Sequence, residues 1–432
     1  MTSAARERFE RLSTADAANI AIDAPDQVNV YIMAGVLEPG GPVAPDGSVD
    51  LDALRSAIAE RLPRAKRLGQ RVRRDGRHLV WEPVTPDLAH HVRSVDPVDG
   101  VAGLEALCAR LMVTPVPRDR PLWELLVVPG VAPRSVGVVL RIHHAIADGY
   151  AAVRLGEVLM DPVDASATIT PAGANPESAA PGWTPFSGSP GAAELRMIAS
   201  GLWRTATMFW HRVPRTRLLG RIGPRRGVGF AESDLAALGA AARAVDATVN
   251  DALLVAVAAA VEAALRSHGE SVPETLLTSV PVALARRGDS GNAVGVMLVP
   301  LPTHEGDLGR RLRHVAALTR RAKHDARSRG TFELTRTRLG ARLFMRLAHH
   351  QRVIVMFVSN VAGPRHPLAL AGARLRRVWP ITAIQGNVRL GVTAISYDGL
   401  LRCAVHCDAD ALDAVVLATA LHDELARIAA LA

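Results

Sequence analysis

The chain is predicted to fold as two α/β domains. Three observations point there: its length, a composition break near the middle, and helix-type and strand-type periodicities that alternate in both halves. At 432 residues the chain exceeds one ordinary core and suits two domains of about 200 residues each. Residues 161–193 are rich in Pro, Gly, Ser and Ala, hold Pro171, Pro176, Pro181, Pro185 and Pro190, and show no sustained periodicity. That is the composition of a linker. The expected organisation is an N-terminal lobe over 1–162, a linker over 163–194 and a C-terminal lobe over 195–432.

The elements follow in order. Leu51, Leu54, Ile58 and Leu62 recur at helical spacing over 48–62, in a helix that starts at Ser48 or Asp50. Residues 70–81 read as strands joined by the turn Asp75-Gly76, and 124–128 as a further strand. The run 136–142 is rich in β-branched residues and short for a helix, so it reads as a buried strand. Gly149 then opens a helical pattern over 150–160 that closes at Asp161-Pro162. In the second half, helices at 233–242, 251–267, 306–326 and 411–432 alternate with strands at 276–282, 294–300, 353–358, 390–397 and 400–407.

Chemistry concentrates where the strand 136–142 ends in His143 and His144, with Asp148 four residues after the second histidine and Gly149 next. A strand end places an imidazole at the rim of a sheet, open to a ligand. With an unperturbed pKa of about 6.5, histidine takes and returns a proton near neutrality. Asp148 is read as orienting the loop, either as a helix cap or by pairing with an arginine. Gly149 is read as turning the backbone where a Cβ would obstruct it. Two other histidine pairs do not compete: four residues after the second histidine, His90-His91 has Val95 and His349-His350 has Ile354. Lys323-His324-Asp325 is read as a solvated helix face, because adjacent side chains on a helix diverge.

Asn250-Asp251 precedes the apolar run 252–261. Asn250 is read either as a hydrogen-bond donor to substrate or, with Asp251, as the end of a buried helix. Ser359-Asn360 closes the strand 353–358 before a Gly-Pro turn, where side chains can point into a cleft. Pro121-Leu122-Trp123 reads as a packing corner, its tryptophan a core residue.

The net charge of +9 with only 4% aromatics leaves few rings for stacking on bases, and no nucleic-acid-binding signature is present. The arginines suit an anionic membrane surface or phosphate groups better. The segment 194–217 mixes Trp203, Phe209 and Trp210 with basic residues; it is either an interfacial helix or one packed between the domains. Cys108, Cys403 and Cys407 have no metal-ligand spacing, and a reducing, cytoplasmic setting is expected. With no signal peptide and no apolar run of about 18 residues, the expectation is a protein that meets membrane or lipid droplets only peripherally.

His143-His144-Ala145-Ile146-Ala147-Asp148-Gly149 resembles the HHxxxDG signature of CoA-dependent acyltransferases, the superfamily of chloramphenicol acetyltransferase and of peptide-synthetase condensation domains. Further segments in the same order resemble one branch, the bacterial wax ester synthase/diacylglycerol acyltransferase family. They are Leu12-Ser13 to Asp16-Ala17, Pro121-Leu122-Trp123 with Gly130, Thr248-Val249-Asn250-Asp251, Val280-Pro281-Val282, Gly291-Asn292, Ser359-Asn360-Val361-Ala362-Gly363-Pro364 and Ser396-Tyr397. Arg389 departs from the pattern, standing where the family commonly carries an apolar or small polar residue.

The resemblance implies the two-lobed acyltransferase fold, α/β in class, with the active site between the lobes. It implies that His144 is the general base, with His143 and Asp148 in support, and that Gly149, Asn250, Asp251, Ser359 and Asn360 bind substrate or shape loops. The implied reaction moves a long-chain acyl group from acyl-CoA to a lipid hydroxyl, yielding triacylglycerol from diacylglycerol or wax ester from a fatty alcohol. It needs no acyl-enzyme, metal or cofactor beyond acyl-CoA as co-substrate. A carrier-protein-bound acyl donor and a non-catalytic lipid-binding role are the alternative expectations.

Overall fold

The computed structural model describes residues 9–24, 27–147, 149–163, 213–283, 294–329 and 348–432. The expected linker from 164 onward, the aromatic-basic segment up to 212, the Gly291-Asn292 pair and Asp148 lie outside the described residues.

In chain order the first half contains β1 (Glu10–Arg11), α1 (Thr14–Ile22), β2 (Val30–Leu37), α2 (Leu51–Arg61), β3 (Gln70–Asp75), β4 (His78–Pro83), α3 (Leu88–His91), β5 (Val92–Ser94), α4 (Gly100–Leu111), β6 (Trp123–Ala132), β7 (Ser135–His143), α5 (Gly149–Leu159) and β8 (Asp161–Pro162). The second contains β9 (Arg226–Asp234), α6 (Leu235–Arg243), α7 (Val249–Ser267), β10 (Thr275–Ala283), β11 (Val294–Pro302), α8 (Leu308–Arg329), β12 (Met356–Val361), β13 (Leu368–Leu370), β14 (Ala373–Ile381), β15 (Leu390–Tyr397), β16 (Leu400–Asp408) and α9 (Ala414–Ala429). Strands assemble into a seven-stranded sheet ordered β5-β6-β7-β2-β14-β13-β8, a six-stranded sheet ordered β11-β10-β12-β15-β16-β9, and a small sheet β1-β4-β3. Each large sheet carries its own apolar core, the second built on α7 and α9.

Most expected elements are present, and the departures have physical causes. The expected strand 136–142 lies within β7, and 390–397 coincides with β15. The strand expected at 353–358 begins three residues later. The Gln351 side chain accepts the backbone N–H groups of Val353 and Ile354, both at 2.8 Å, so those donors are not free for a sheet. The helix expected from 233 starts at 235: Ser233 and Asp234 still belong to β9, and the Asp234 carboxylate caps α6 through the N–H of Ala237 at 2.7 Å. β2 shows no strand signal because both its faces are covered, with Val30 and Ile32 buried on one and Tyr31 on the other. Without alternation, such a run carries no two-residue period to read.

The division at 162 and 195 needs correcting. β13 and β14 come from the C-terminal half yet belong to the seven-stranded sheet, where β14 pairs antiparallel with β2 from Ile381 opposite Ile32 to Leu375 opposite Leu37. A strand as apolar as β2 would otherwise present a bare hydrogen-bonding edge. The chain therefore enters the first sheet a second time before returning through 382–389 to β15. Further contacts join the two cores. The Phe230 ring of β9 stacks on Trp379 of β14 at 4.4 Å and 3°, and Glu105 of α4 accepts the Phe230 N–H at 2.7 Å.

Two of the sequence segments singled out above meet at Gly363. A Cβ there would lie 1.9 Å from the carbonyl oxygen of Ser396, so only glycine allows the chain leaving β12 to cross β15. Gly363→Ala is expected to destabilise the protein by about 1–3 kcal/mol, as overpacking against immovable backbone does; thermal denaturation of the two proteins measures it.

Candidate active site

β7 delivers the two histidines into a tight turn held by several backbone hydrogen bonds. The N–H of His143 donates to Leu122 O at 3.0 Å, so the Pro121-Leu122-Trp123 corner abuts the site directly. The N–H of His144 donates to Asn29 O at 2.9 Å, and the N–H of Ile146 closes the turn on His143 O at 2.9 Å. The Asn19 side chain of α1 donates to the carbonyl of His144 at 3.3 Å. Trp123 itself is core, its indole N–H donating to Leu68 O at 2.8 Å and its ring stacked on His91 at 4.6 Å.

The two imidazoles differ. His143 is 1% exposed. Its Nδ1 accepts the N–H of Ala145 at 3.0 Å, which places the ring proton on Nε2, and Nε2 faces the Asp23 carboxylate at 3.4 Å. Burial works to raise the Asp23 pKa, but the nearby His143 imidazole and the hydrogen bonds from Arg118 and the Asn29 N–H more than offset it, holding this carboxyl down at about 2. Asp23 is thus anionic at neutral pH and faces the Nε2 side of His143. His144 keeps some open surface, yet protein surrounds its ring and the edge of Tyr31 stands against it at 6.0 Å and 79°. Desolvation, with a smaller contribution from His143, pushes its pKa down to about 4. The imidazole is therefore neutral at physiological pH, and among the described residues no group hydrogen-bonds its ring nitrogens.

Asn29 joins these parts. It is 1% exposed; its N–H donates to Asp23 at 2.9 Å, its amide donates to Asn19 at 3.1 Å, and its side-chain oxygen accepts from Gln385 at 2.7 Å. Gln385 lies on the return from β14 to β15, where Gly386 also exchanges two hydrogen bonds with the Gln27 side chain, at 2.9 and 3.1 Å. The histidine turn is consequently held by both ends of the chain. None of Asn19, Asp23, Asn29, Tyr31 and Gln385 stood out in the sequence. A signal existed: Gln27 and Asn29 are polar residues at the mouth of an otherwise apolar strand.

The other expected site residues divide. Asp148 is not among the described residues. Gly149 does open α5, but a Cβ there would meet Tyr31 and Val361 at an ordinary 3.6 Å, so backbone sterics do not demand glycine and that expectation is corrected. The same contact brings the end of β12 to the histidine turn. Ser359 and Asn360 lie inside β12, paired with Thr393 and Ala394 of β15, with Asn360 one residue before the strand's end at Val361. Ser359 shares the face of Val361 by strand alternation. Asp251 is a helix cap: one carboxylate oxygen accepts from Thr248 N at 2.8 Å and Thr248 Oγ1 at 2.7 Å, the other from Thr319 Oγ1 at 2.6 Å. Asp251 is also buried, 3% exposed, which favours the helix-end reading of this pair over substrate binding by its carboxylate. Asn250 occupies the first turn of the same helix, partly buried. Arg389 pairs with Asp408 at 3.1 Å and donates to Arg221 O at 2.6 Å, so the departure from the family pattern anchors the 217–221 loop. The three cysteines are buried and unpaired, with Cys403 and Cys407 pushed up to about 12 by desolvation.

Comparison with known proteins identifies the family. Residues 12–253 match the wax ester synthase/diacylglycerol acyltransferase catalytic domain, and residues 290–429 match the C-terminal domain of the same family. The chain belongs to the wax ester synthase/diacylglycerol acyltransferase family. It is 30% identical to the probable diacylglycerol O-acyltransferase tgs1 of Mycobacterium tuberculosis H37Rv, over 98% of this chain and 96% of that one. In fold it is similar to the wax ester synthase/diacylglycerol acyltransferase of Marinobacter aquaeolei VT8, with a TM-score of 0.71 at 20% identity over 97% and 98% of the two chains. The trichothecene 15-O-acetyltransferase TRI3 of Fusarium sporotrichioides shares the fold as well, with a TM-score of 0.66 at 10% identity over 98% and 94%. The two-lobed acyltransferase fold is thus this family member's fold, and the histidine turn lies inside the matched catalytic domain.

Asp251→Ala is expected to lower stability by about 1–2 kcal/mol, the worth of a helix cap, while KM stays unchanged; urea denaturation and steady-state kinetics report the two quantities separately. Gly149→Ala is expected to leave the melting temperature unchanged or slightly raised.

Proposed function

We propose that this acyltransferase moves a long-chain acyl group from acyl-CoA to the hydroxyl of diacylglycerol or of a long-chain alcohol, with His144 as general base. The observation that carries this reading is the state of His144: a neutral imidazole, unclaimed by neighbouring side chains among the described residues, on a backbone fixed by Asn19 and Asn29. His144 takes the proton of the acceptor hydroxyl as its oxygen attacks the thioester carbonyl. The tetrahedral intermediate collapses with cleavage of the C–S bond, and the imidazolium returns the proton to the departing CoA sulfur. A thioester is already activated, so a positioned base suffices and no nucleophilic side chain is required. A base of such low pKa is weak, which favours proton removal concerted with attack over prior ionisation of the alcohol. Asp23 and His143 act through His144 as positioning residues.

The family match supports an acyl-CoA donor and a lipid acceptor over a carrier-protein-bound donor. Among the described residues no helix is long and apolar enough to cross a membrane. With lipid substrates and a net charge of +9, we place the protein against an anionic lipid surface or lipid droplet.

Release of free CoA from palmitoyl-CoA is to be measured with hexadecanol and, separately, with dioleoylglycerol. Turnover is expected with at least one acceptor, and its absence with both overturns the reading. His144→Ala should lose about a hundredfold in kcat, the typical worth of a positioned general base; full turnover by this variant excludes the assigned base. Because burial lowers the pKa of His144 to about 4, its active neutral form persists in mild acid. The kcat/KM profile should therefore stay flat as pH falls from about 8 to about 5 and drop only below that.

A further inference from the structure

A narrow, largely apolar cavity lies beneath α5, with a volume of ≈ 40 Å³. Met33 and Gly35 of β2, Val153, Gly156 and Met160 of α5, and Ile395 of β15 are among the residues that line it, and no charged side chain does. The one hydroxyl on its wall, that of Tyr397, is occupied, donating to Leu375 O at 2.8 Å and accepting from Leu368 N at 2.9 Å. The cavity therefore offers nothing to a polar ligand or to water, and an apolar void without an occupant costs stability.

Two glycines on its wall are there for different reasons. A Cβ on Gly35 would lie 2.7 Å from Leu375 Cδ1 and 2.9 Å from Arg377 O, so close packing demands that glycine. A Cβ on Gly156 would meet nothing within 4 Å. Gly156 sits in the interior of α5, where glycine is disfavoured, and it shares a helix face with Val153 and Met160. Packing does not explain it; what it provides is space.

The cavity and the site lie along the same face of β2. Tyr31, Met33 and Gly35 alternate onto one face of that strand; Tyr31 stands against the His144 ring, and Gly35 is roughly 13 Å further along at the usual strand rise. We propose that this cavity receives the far end of the long hydrocarbon chain whose reacting end lies at His144, and that Gly156 sets how long a chain fits. The inference rests on the lipid acyltransferase reading above. Fatty acyl donor and fatty alcohol acceptor offer the same methylene chain, so the test separates them.

Gly156→Leu places a branched side chain in the cavity while improving the helix, so folding should survive; a thermal melt checks this. In the donor arm, octanoyl-, dodecanoyl- and palmitoyl-CoA are compared with a fixed acceptor. In the acceptor arm, octanol, dodecanol and hexadecanol are compared with a fixed donor. The variant should lose about tenfold or more in kcat/KM for the longest chain relative to the shortest in one arm, given what single methylenes are worth in an apolar pocket. That arm identifies the chain. Met160→Ala, which enlarges the cavity, should shift the same arm toward longer chains. Equilibrium binding of palmitoyl-CoA against octanoyl-CoA, and of hexadecanol against octanol, gives a readout independent of turnover. A folded Gly156→Leu protein with wild-type length profiles in both arms and in binding overturns the proposal and leaves the acyltransferase reading standing. A wild type that turns over neither acceptor overturns that reading instead, and binding still decides whether the cavity holds a chain.

Discussion

The antiparallel pairing of β2 with β7 on one side and β14 on the other is the constraint on which the rest of this molecule depends. It sets Val30 opposite His143, and so brings Asn29 and Tyr31, the residues flanking Val30, to the histidine turn. It also draws β14 out of the C-terminal half and into the first sheet. A strand as thoroughly buried as β2 tolerates no unpaired edge. Satisfying it forces the two halves of the chain to interlock, and the loop that leaves β14 then arrives at Asn29 with Gln385.

The electrostatics of the site follow from that burial. A poorly solvated turn disfavours charge on the His144 imidazole. The structure gives the two imidazoles different surroundings. His143 is supplied with an anion, Asp23, whose own burial is compensated by Arg118 and the backbone of Asn29. His144 is given an aromatic edge and, among the described residues, no charged partner, which leaves its lone pair for a substrate. Buried polar groups that are each satisfied become rigid, so the shell of Asn19, Asp23 and Asn29 serves to hold one side chain still. Beyond Tyr31 the same strand face turns wholly apolar and runs into the cavity beneath α5, so a polar reacting end and a hydrocarbon end succeed one another along a single element.

Where local pattern carries the information, sequence reasoning succeeded. The end of β7 at the double histidine, the start of α5 at Gly149 and the run of β15 depend on neighbours in the chain and were legible. Elements whose reason is tertiary were not. β2 lacks alternation because both its faces are covered; β14 shows arginines at Arg374, Arg376 and Arg377 that suggest a basic surface, although Val378, Trp379 and Ile381 beside them are buried. Asp251 illustrates a residue whose type fits two roles. Only its three hydrogen bonds, one to a threonine on α8, distinguish a helix cap from a substrate ligand.

The amino-acid sequence by itself determined the family, the double-histidine turn at the end of a buried strand and the two-lobed α/β class, because these reside in contiguous motifs and in short-range periodicity. The tertiary structure alone decided what surrounds the histidines, namely Asp23, Asn29 and Gln385 from distant parts of the chain, and where an apolar cavity is left over. Those depend on which faces are buried against each other, and side chains hundreds of residues apart leave no mark of their proximity in the order in which they are written.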